Sequence, residues 1–135
     1  MTLYTPGSQP KSGKAPARKL VFMVTHGPEH PETATIPFAM AVAAQAGGVE
    51  VVMGFQVEGV RLVERGVAEK VAAPHFTPLK DLMDIYHSNG GVYYACGPCV
   101  ATRDIATENF VEGAQVVNAA TFVEQFITAN NVMVY

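Results

Sequence analysis

Short apolar runs rich in β-branched residues recur along this chain, and they restrict its fold more than any other feature. Residues 20–24 (Leu-Val-Phe-Met-Val) form a continuous apolar run, which is typical of a strand buried on both faces. Further strands are predicted at residues 49–55, 92–95, 115–117 and 132–134. Strands buried on both faces are usual in parallel sheets, because helices cover both sides.

Segments with helical spacing separate these strands. The first has Thr33 or Thr35 as its predicted N-cap, Pro37 in its first turn and Gly47 after its end. Residues 60–63 fit either a short strand or a turn of helix. Further helices are predicted from Thr77, after Cys99, and from Asn118 or Thr121. The alternation predicts an α/β fold in three layers, a mostly parallel sheet of about five strands with helices on both faces.

The length of 135 residues fits one domain. Residues 1–18, which contain several proline and glycine breaks, are predicted to form a flexible N-terminal tail, and residues 19–135 a single domain. The net charge of -3 gives no electrostatic reason to expect nucleic acid or an anionic membrane as partner. No apolar run approaches the ~20 residues of a membrane-spanning helix. The N-terminus lacks the apolar stretch of a secretory signal, which predicts a cytoplasmic protein.

Two closely spaced cysteines follow the predicted strand at residues 92–95. Such a pair in an intracellular protein indicates redox, nucleophilic or metal chemistry. Pro98 suits the first turn of a following helix, where unpaired amides and the helix dipole favour the thiolate of Cys96. Gly97 leaves the approach to the sulfur open. We therefore predict that Cys96 is a nucleophile and Cys99 an assisting or resolving thiol, with an ordinary buried cysteine as the alternative.

The Cys-Gly-Pro-Cys sequence at residues 96–99 is also the active-site tetrapeptide of thioredoxins. The context differs from that family, because the motif lies in the last third of the chain and no proline follows Pro98. The tyrosine and alanine before the motif also replace the tryptophan of thioredoxins. The spacing still permits a disulfide between Cys96 and Cys99. Dithiol–disulfide exchange or a reaction with peroxide is therefore an alternative function.

Histidines and an arginine are further candidates. His26 and His30 lie in the loop after the first strand, which ends at the same edge of the sheet as the cysteine turn. His26 can assist the thiol as a proton shuttle, although a solvated loop histidine is the simpler interpretation. A metal site with the two cysteines is not predicted, because two prolines prevent a regular helix that would align both imidazoles. Arg103 can hold an anionic sulfur species or form an exposed ion pair.

Four segments, in this order and spacing, carry a family resemblance. They are residues 20–28 with a proline-containing helix after them, residues 49–60, residues 91–96 and residues 110–124. Together they resemble the DsrE/DsrF/TusD-like family of small sulfur-relay proteins over residues 19–135. The resemblance implies a compact α/β fold that assembles into trimers or hexamers. It also implies that Cys96 accepts sulfur as a persulfide, whereas Cys99 is a departure, because many relatives have a small polar residue there.

These observations lead to one main functional hypothesis. The chain is expected to be a sulfur carrier or sulfurtransferase-like protein, with Cys96 and Cys99 as catalytic thiols and with His26, Gly97 and Arg103 near the bound sulfur. Its expected partners are sulfur donor and acceptor proteins or small thiols, and no cofactor is predicted. A non-catalytic oligomeric binding protein is the alternative from another class, because family membership alone does not establish an activity.

Overall fold

A computed structural model describes residues 17–135, so all but the last two residues of the predicted tail lie outside the described residues. The strands are β1 (Lys19–Val24), β2 (Glu50–Phe55), β3 (Val92–Cys96), β4 (Ala114–Val117) and β5 (Asn131–Val134). The α-helices are α1 (Pro31–Ala46), α2 (Leu79–Ser88), α3 (Gly97–Thr102) and α4 (Ala119–Ile127). Shorter 3-10 helices occupy Val57–Val63, called the 3-10 segment below, Ala68–Lys70 and Thr107–Asn109.

The strands form one sheet in the order β4-β3-β2-β1-β5, and every neighbouring pair is parallel. The chain steps in one direction from β1 to β4, and α4 then carries it back across the sheet to β5 at the far edge. Right-handed crossovers of this order place α1 and α2 on one face and α4 on the other. The predicted three-layer α/β fold with helices on both faces is confirmed, and the sheet is parallel throughout.

Both faces of the central strands are buried in apolar clusters. Phe22 of β1 and Met53 of β2 belong to the larger cluster, which also contains the inward residues of α1 and α2. Val21 and Met23 belong to the smaller cluster, with Phe122 of α4. Burying each such side chain contributes roughly 1.5–3 kcal/mol. This two-sided burial explains why the sequence of β1 is continuously apolar rather than alternating.

Helix starts differ from the sequence prediction in three places, one of which is α3, which begins at Gly97 rather than after Cys99. Helix α1 begins at Pro31, ahead of the predicted caps, because a proline fits the first turn, where its missing N–H is not needed. Thr35 is instead buried inside α1, and its hydroxyl donates to the Pro31 carbonyl at 2.6 Å. Helix α2 begins after Pro78, one residue beyond the prediction. None of the helices in residues 17–135 has the length and apolarity to cross a membrane.

The cap of α4 agrees with one of the two predicted alternatives. The Asn118 side chain accepts a hydrogen bond from the Thr121 backbone N–H at 3.0 Å. This bond satisfies one of the free amides of the first helical turn. Asn118 therefore begins α4 directly after β4, which leaves its side chain at the carboxyl edge of the sheet.

The 3-10 segment packs across the carboxyl ends of β1 and β2. Its apolar side chains Val60, Leu62 and Val63 are fully buried. Gly59 lies so close to β1 that a Cβ there would be 2.0 Å from the Val24 carbonyl oxygen. Of the alternatives that the sequence left open for residues 60–63, the turn of helix is therefore correct.

We predict that Gly59→Ala lowers the free energy of unfolding by about 2–3 kcal/mol, because the added methyl overlaps a strand carbonyl that cannot move freely. The matched control is Gly47→Ala at the end of α1, where the nearest atom to an added Cβ is 3.4 Å away. Urea unfolding followed by circular dichroism measures both. Equal stability of the two variants would contradict this account of the packing.

Candidate functional site

The cysteine turn lies where β3 ends and α3 begins. Cys96 is the last residue of β3 and pairs in register with Val117 of β4. The preceding residues alternate, so that Tyr93 and Ala95 are buried in the larger cluster. Cys96 itself contacts both clusters and is partly exposed. The strand therefore delivers this thiol to the carboxyl edge of the sheet, as the sequence predicted.

The two thiols of the turn lie in contact. Both cysteines are free and partly exposed, and their Sγ atoms are 2.8 Å apart. The backbone N–H of Val57 donates a hydrogen bond to Cys99 Sγ at 3.3 Å. Cys99 therefore lies between an amide of the 3-10 segment and the sulfur of Cys96.

Val57 holds this amide in a strained backbone conformation. Its φ angle is 54°, in the left-handed region, which a β-branched residue rarely adopts. Such a conformation costs of order 1–3 kcal/mol and persists where the surrounding contacts enforce it. Here the neighbouring Gln56 N–H donates to the Val24 carbonyl, and Gly59 N–H donates to the Gln56 carbonyl. These bonds hold the chain on both sides of Val57.

An ion-pair bracket joins the 3-10 segment to α3. Arg103 Nε donates to Glu58 Oε1 at 2.6 Å, and Arg103 Nη1 donates to the Cys99 carbonyl at 3.2 Å. Arg61 Nε donates to the other oxygen of Glu58 at 2.7 Å. Hydrogen bonds from Arg103 and then Arg61 lower the pKa of Glu58. The Arg103 side chain is 17 % exposed, so it is a partly buried brace rather than a freely solvated charge.

The pKa of the Cys96 thiol is raised, which differs from the expectation drawn from the sequence. Burial is the largest cause, and the hydrogen bond with Cys99 acts in the same direction. The Cys99 backbone N–H and the positive charge of Arg103 lower the pKa, but they do not outweigh burial. The helix-start amides that favour the thiolate are therefore present, but the thiol packs against both core clusters and loses hydration.

A groove of about 530 Å³ flanks the cysteine turn on the α4 side of the sheet. Gly97 borders it and fits tightly against β4, because a Cβ there would lie 3.3 Å from a methyl carbon of Val116. The wall contains backbone and side chains of the cysteine turn, β3, β4 and the start of α4. Its lining residues are Tyr94, Gly97, Pro98, Gln115, Val116, Val117, Asn118 and Thr121.

His26 lies at the same edge of the sheet, on the other side of the 3-10 segment. Its Nδ1 is 3.3 Å from the Thr25 hydroxyl, and its ring packs edge-on against His30 at 5.2 Å. The adjacent Gly27 packs against the Glu58 carbonyl, which places the 3-10 segment between the histidines and α3. Within residues 17–135, no hydrogen bond joins His26 to either cysteine, and its role stays a prediction.

The histidine pair and the cysteine pair do not come together among the described residues. In the described part of the chain, no three His, Cys, Asp or Glu side chains come close enough together to hold a metal ion. The 3-10 segment lies between the histidine pair and the cysteine pair. Both pairs lie at the same edge of the sheet, but they do not meet.

Sequence reasoning missed Val57 and Glu58, which the structure brings to the cysteine turn. Val57 contributes a backbone amide, and any residue except proline carries one, so its identity gives no signal. Glu58 is recognisable as the acidic residue in the first turn of the 3-10 segment, three positions before Arg61. Its partner Arg103 is 45 positions away, which no local pattern can reveal.

A family model matches most of this chain. The model of the DsrE/DsrF-like family matches residues 18–135 of this chain. Two uncharacterized proteins of Methanocaldococcus jannaschii are similar in sequence. MJ0989 is 27 % identical over 124 residues, which cover 87 % of this chain and 99 % of MJ0989. MJ0760 is 28 % identical over 123 residues, which cover 89 % of this chain, but the chain spans 45 % of the length of MJ0760.

Two solved structures share the fold. The ychN protein from E. coli superimposes with a TM-score of 0.74 at 15 % identity, covering 87 % of this chain and 99 % of that protein. MTH1491 from Methanobacterium thermoautotrophicum, a protein of unknown function, gives a TM-score of 0.62 at 14 % identity, covering 86 % and 98 %. At these identities the likeness shows the fold.

We predict that alkylation of Cys96 by iodoacetamide is slow at neutral pH and accelerates through a midpoint above the ~8.5 of free cysteine. The thiolate is the reacting form, so a raised pKa lowers the rate at neutral pH. Arg103→Gln should move the midpoint further up, because it removes a positive charge that lowers this pKa. The matched control is Arg61→Gln, which also removes an arginine from Glu58. Peptide mass spectrometry measures the rates, and a midpoint below that of free cysteine would contradict the prediction.

Proposed function

Because this chain belongs to the DsrE/DsrF-like family, which is generally associated with sulfur relay, we propose that it is a sulfur carrier. In this proposal Cys96 accepts one sulfur atom as a persulfide and passes it to the thiol of a partner. The observation that carries the proposal is a free, partly exposed thiol at the carboxyl end of β3, followed in the chain by Gly97, which borders a groove at the sheet edge. Ligands of parallel sheets bind at this edge.

Sulfur transfer through Cys96 needs two displacement steps. The Cys96 thiolate attacks the outer sulfur of a donor persulfide, an S–S bond forms at Cys96, and the donor thiolate leaves with the electron pair of the broken bond. An acceptor thiolate then attacks the outer sulfur on Cys96, and Cys96 leaves as a thiolate. Each step is a thiol exchange at sulfur, so no external oxidant or reductant is consumed.

The environment of Cys96 suits a carrier that is loaded by a docked partner. Burial raises the pKa of its thiol, so few molecules hold the thiolate at neutral pH, and reaction with dissolved electrophiles is slow. A thiolate of higher pKa is also the stronger nucleophile once it forms. If the Cys96 thiol loses its proton only when a sulfur donor is bound, Cys96 will accept sulfur only from that bound donor.

Arg103 and the groove supply the expected binding groups. The positive charge of Arg103 acts on the sulfur of Cys96, since it lowers the pKa of that thiol. The same charge favours an anionic persulfide over a neutral thiol. The groove beside Gly97 combines the apolar wall of Val116 with the polar side chains of Asn118 and Thr121. We infer that the donor or acceptor segment lies there.

Dithiol–disulfide exchange stays the second candidate function. The contact of 2.8 Å between the two Sγ atoms favours it, because a disulfide requires the two sulfurs to be close, and the disulfide or peroxide substrate would accept the two electrons. A reversible loss of two hydrogens, with turnover of a disulfide or peroxide substrate, would distinguish it from sulfur carriage.

The family resemblance implies assembly into trimers or hexamers, and we further propose that the chain self-associates through α4. Val123 and Ile127 lie one turn apart on this helix and are 53 % and 77 % exposed. Phe122, on the opposite side of the helix, is buried against the sheet. The outer side of α4 therefore presents two adjacent apolar side chains that a second copy of the chain would cover.

The carrier proposal predicts a sulfur adduct on one cysteine. After incubation with inorganic polysulfide and removal of the excess, the Cys99→Ser protein should gain about 32 Da on intact mass measurement, and a small thiol should then remove the adduct. The matched control is Cys96→Ser, which retains Cys99. Because the Cys99 sulfur lies between the Val57 amide and residue 96, polysulfide reaches it less easily, and this variant should load at least tenfold more slowly than Cys99→Ser (~1.4 kcal/mol per tenfold). Equal loading of the two variants would refute a special role for Cys96.

The self-association proposal predicts a trimer or hexamer of the 14.4 kDa chain in light scattering. Ile127→Asp should shift the mass toward the monomer, because it places a charge in the proposed interface. The matched control is Ile85→Asp on α2, where the native side chain is 41 % exposed. A monomeric wild-type protein would overturn the proposal, as would an unchanged assembly in Ile127→Asp.

A further inference from the structure

We propose that Cys99 resolves the Cys96 persulfide within the same chain, forming a Cys96–Cys99 disulfide and releasing hydrosulfide. This adds a reductive activity to sulfur carriage, and it rests on the proposed function, since it requires the persulfide on Cys96. The cysteine pair in contact and the amide held against Cys99 by the 3-10 segment carry the inference.

The position of Cys99 decides which sulfur of the persulfide it can attack. A persulfide has an outer sulfur, whose attack transfers that sulfur, and an inner sulfur, whose attack expels the outer one. Cys99 Sγ lies 2.8 Å from Cys96 Sγ, which becomes the inner sulfur of the persulfide. Cys99 is therefore placed to attack the inner sulfur. Because the two sulfurs are held together in one chain, the reaction has the rate advantage of an intramolecular reaction.

The Val57 amide prepares Cys99 for this attack. A backbone N–H that donates to a sulfur fixes the position of that sulfur, and a reactant held in place attacks more readily. The Val57 N–H lies 3.3 Å from Cys99 Sγ, at a residue whose φ of 54° is strained. Strain at a β-branched residue is retained where neighbouring contacts over-determine it, and it clusters at functional sites. The strained residue, Val57, is thus the residue that contacts the second thiol, Cys99.

The ion-pair bracket holds Cys99 in register with this amide. Arg103 binds the Cys99 carbonyl at 3.2 Å and Glu58 at 2.6 Å, and Glu58 follows Val57 directly in the chain. The two ends of the Val57–Cys99 hydrogen bond are therefore also joined through Arg103. Because the bracket and the hydrogen bond connect the same two elements, displacement of Cys99 would break both.

Atoms and electrons balance in the proposed step. Cys99 loses its proton to solvent, and its thiolate forms a bond to the inner sulfur on Cys96. The bond between the inner and outer sulfurs breaks, and its electron pair leaves with the outer sulfur, which takes up one proton from solvent and departs as hydrosulfide. The outer sulfur, as delivered by the donor, is reduced by two electrons, and the two cysteines are oxidised to a disulfide.

A reduced thiol is needed to begin another cycle. A small thiol or a dithiol protein attacks the Cys96–Cys99 disulfide, forms a mixed disulfide, and releases both cysteines after a second exchange. The sulfur bound to Cys96 would thus be either transferred or released. An acceptor thiol in the groove takes the outer sulfur intact, and in the absence of an acceptor Cys99 discards it as hydrosulfide.

The test compares wild-type protein with Cys99→Ser and Cys99→Ala under anaerobic conditions. Each reduced protein is mixed with inorganic polysulfide, freed of excess reagent, and followed by intact mass without reductant. Wild-type protein should lose about 2 Da and yield a linked Cys96–Cys99 peptide, whereas both variants should keep an adduct of about 32 Da. The adduct should persist at least about tenfold longer in the variants. Wild-type protein without polysulfide, which should stay reduced, is the control for stray oxidation.

The outcomes separate this inference from the carrier proposal. An adduct as long-lived in wild-type protein as in both variants would overturn resolution by Cys99 and leave sulfur carriage standing. Failure of Cys99→Ser and Cys99→Ala to form any adduct would overturn sulfur carriage, and resolution with it. A disulfide in wild-type protein together with stable adducts in both variants supports both proposals.

Discussion

Parallel pairing of β1, β2 and β3 between two covered faces is the constraint on which the rest of the molecule depends. Each of these strands must end at the same edge, so the loops that follow them are brought together there whatever their sequence. The backbone of β1 and β2 cannot yield without breaking the ladder. Loops at that edge therefore adapt to the strands, and the glycine at position 59 and the strained valine at position 57 are two results of this adaptation.

The 3-10 segment is the element that converts this edge into a site. Its buried side chains Val60, Leu62 and Val63 contribute apolar burial that offsets the 1–3 kcal/mol typical of a strained residue such as Val57. Two of its polar groups reach α3, because the Val57 amide binds Cys99 and the Glu58 carboxylate binds Arg103. The same short stretch therefore anchors to the core on one side and positions the cysteine turn on the other.

The cysteine turn balances exposure against burial. Cys96 must reach a partner, yet it packs against both apolar clusters, and that burial raises the pKa of its thiol. A thiol of this kind reacts selectively, because dissolved electrophiles meet mainly its protonated form. The positive charge of Arg103 and the Cys99 backbone N–H lower the pKa of the Cys96 thiol, but they do not outweigh burial. The protonated thiol is therefore the resting form of Cys96 at neutral pH.

The sequence by itself determined the strands, their alternation with helices, and the delivery of Cys96 to the sheet edge, because apolar periodicity and turn residues are local signals. It also indicated Arg103 and His26 as neighbours of that edge. Only the tertiary structure decided that the Val57 amide meets Cys99 and that Glu58 pairs with Arg103. Those contacts join residues more than 40 positions apart, and desolvation of Cys96 depends on packing from both faces. Neither these long-range contacts nor the burial of Cys96 can be predicted from a short stretch of the chain.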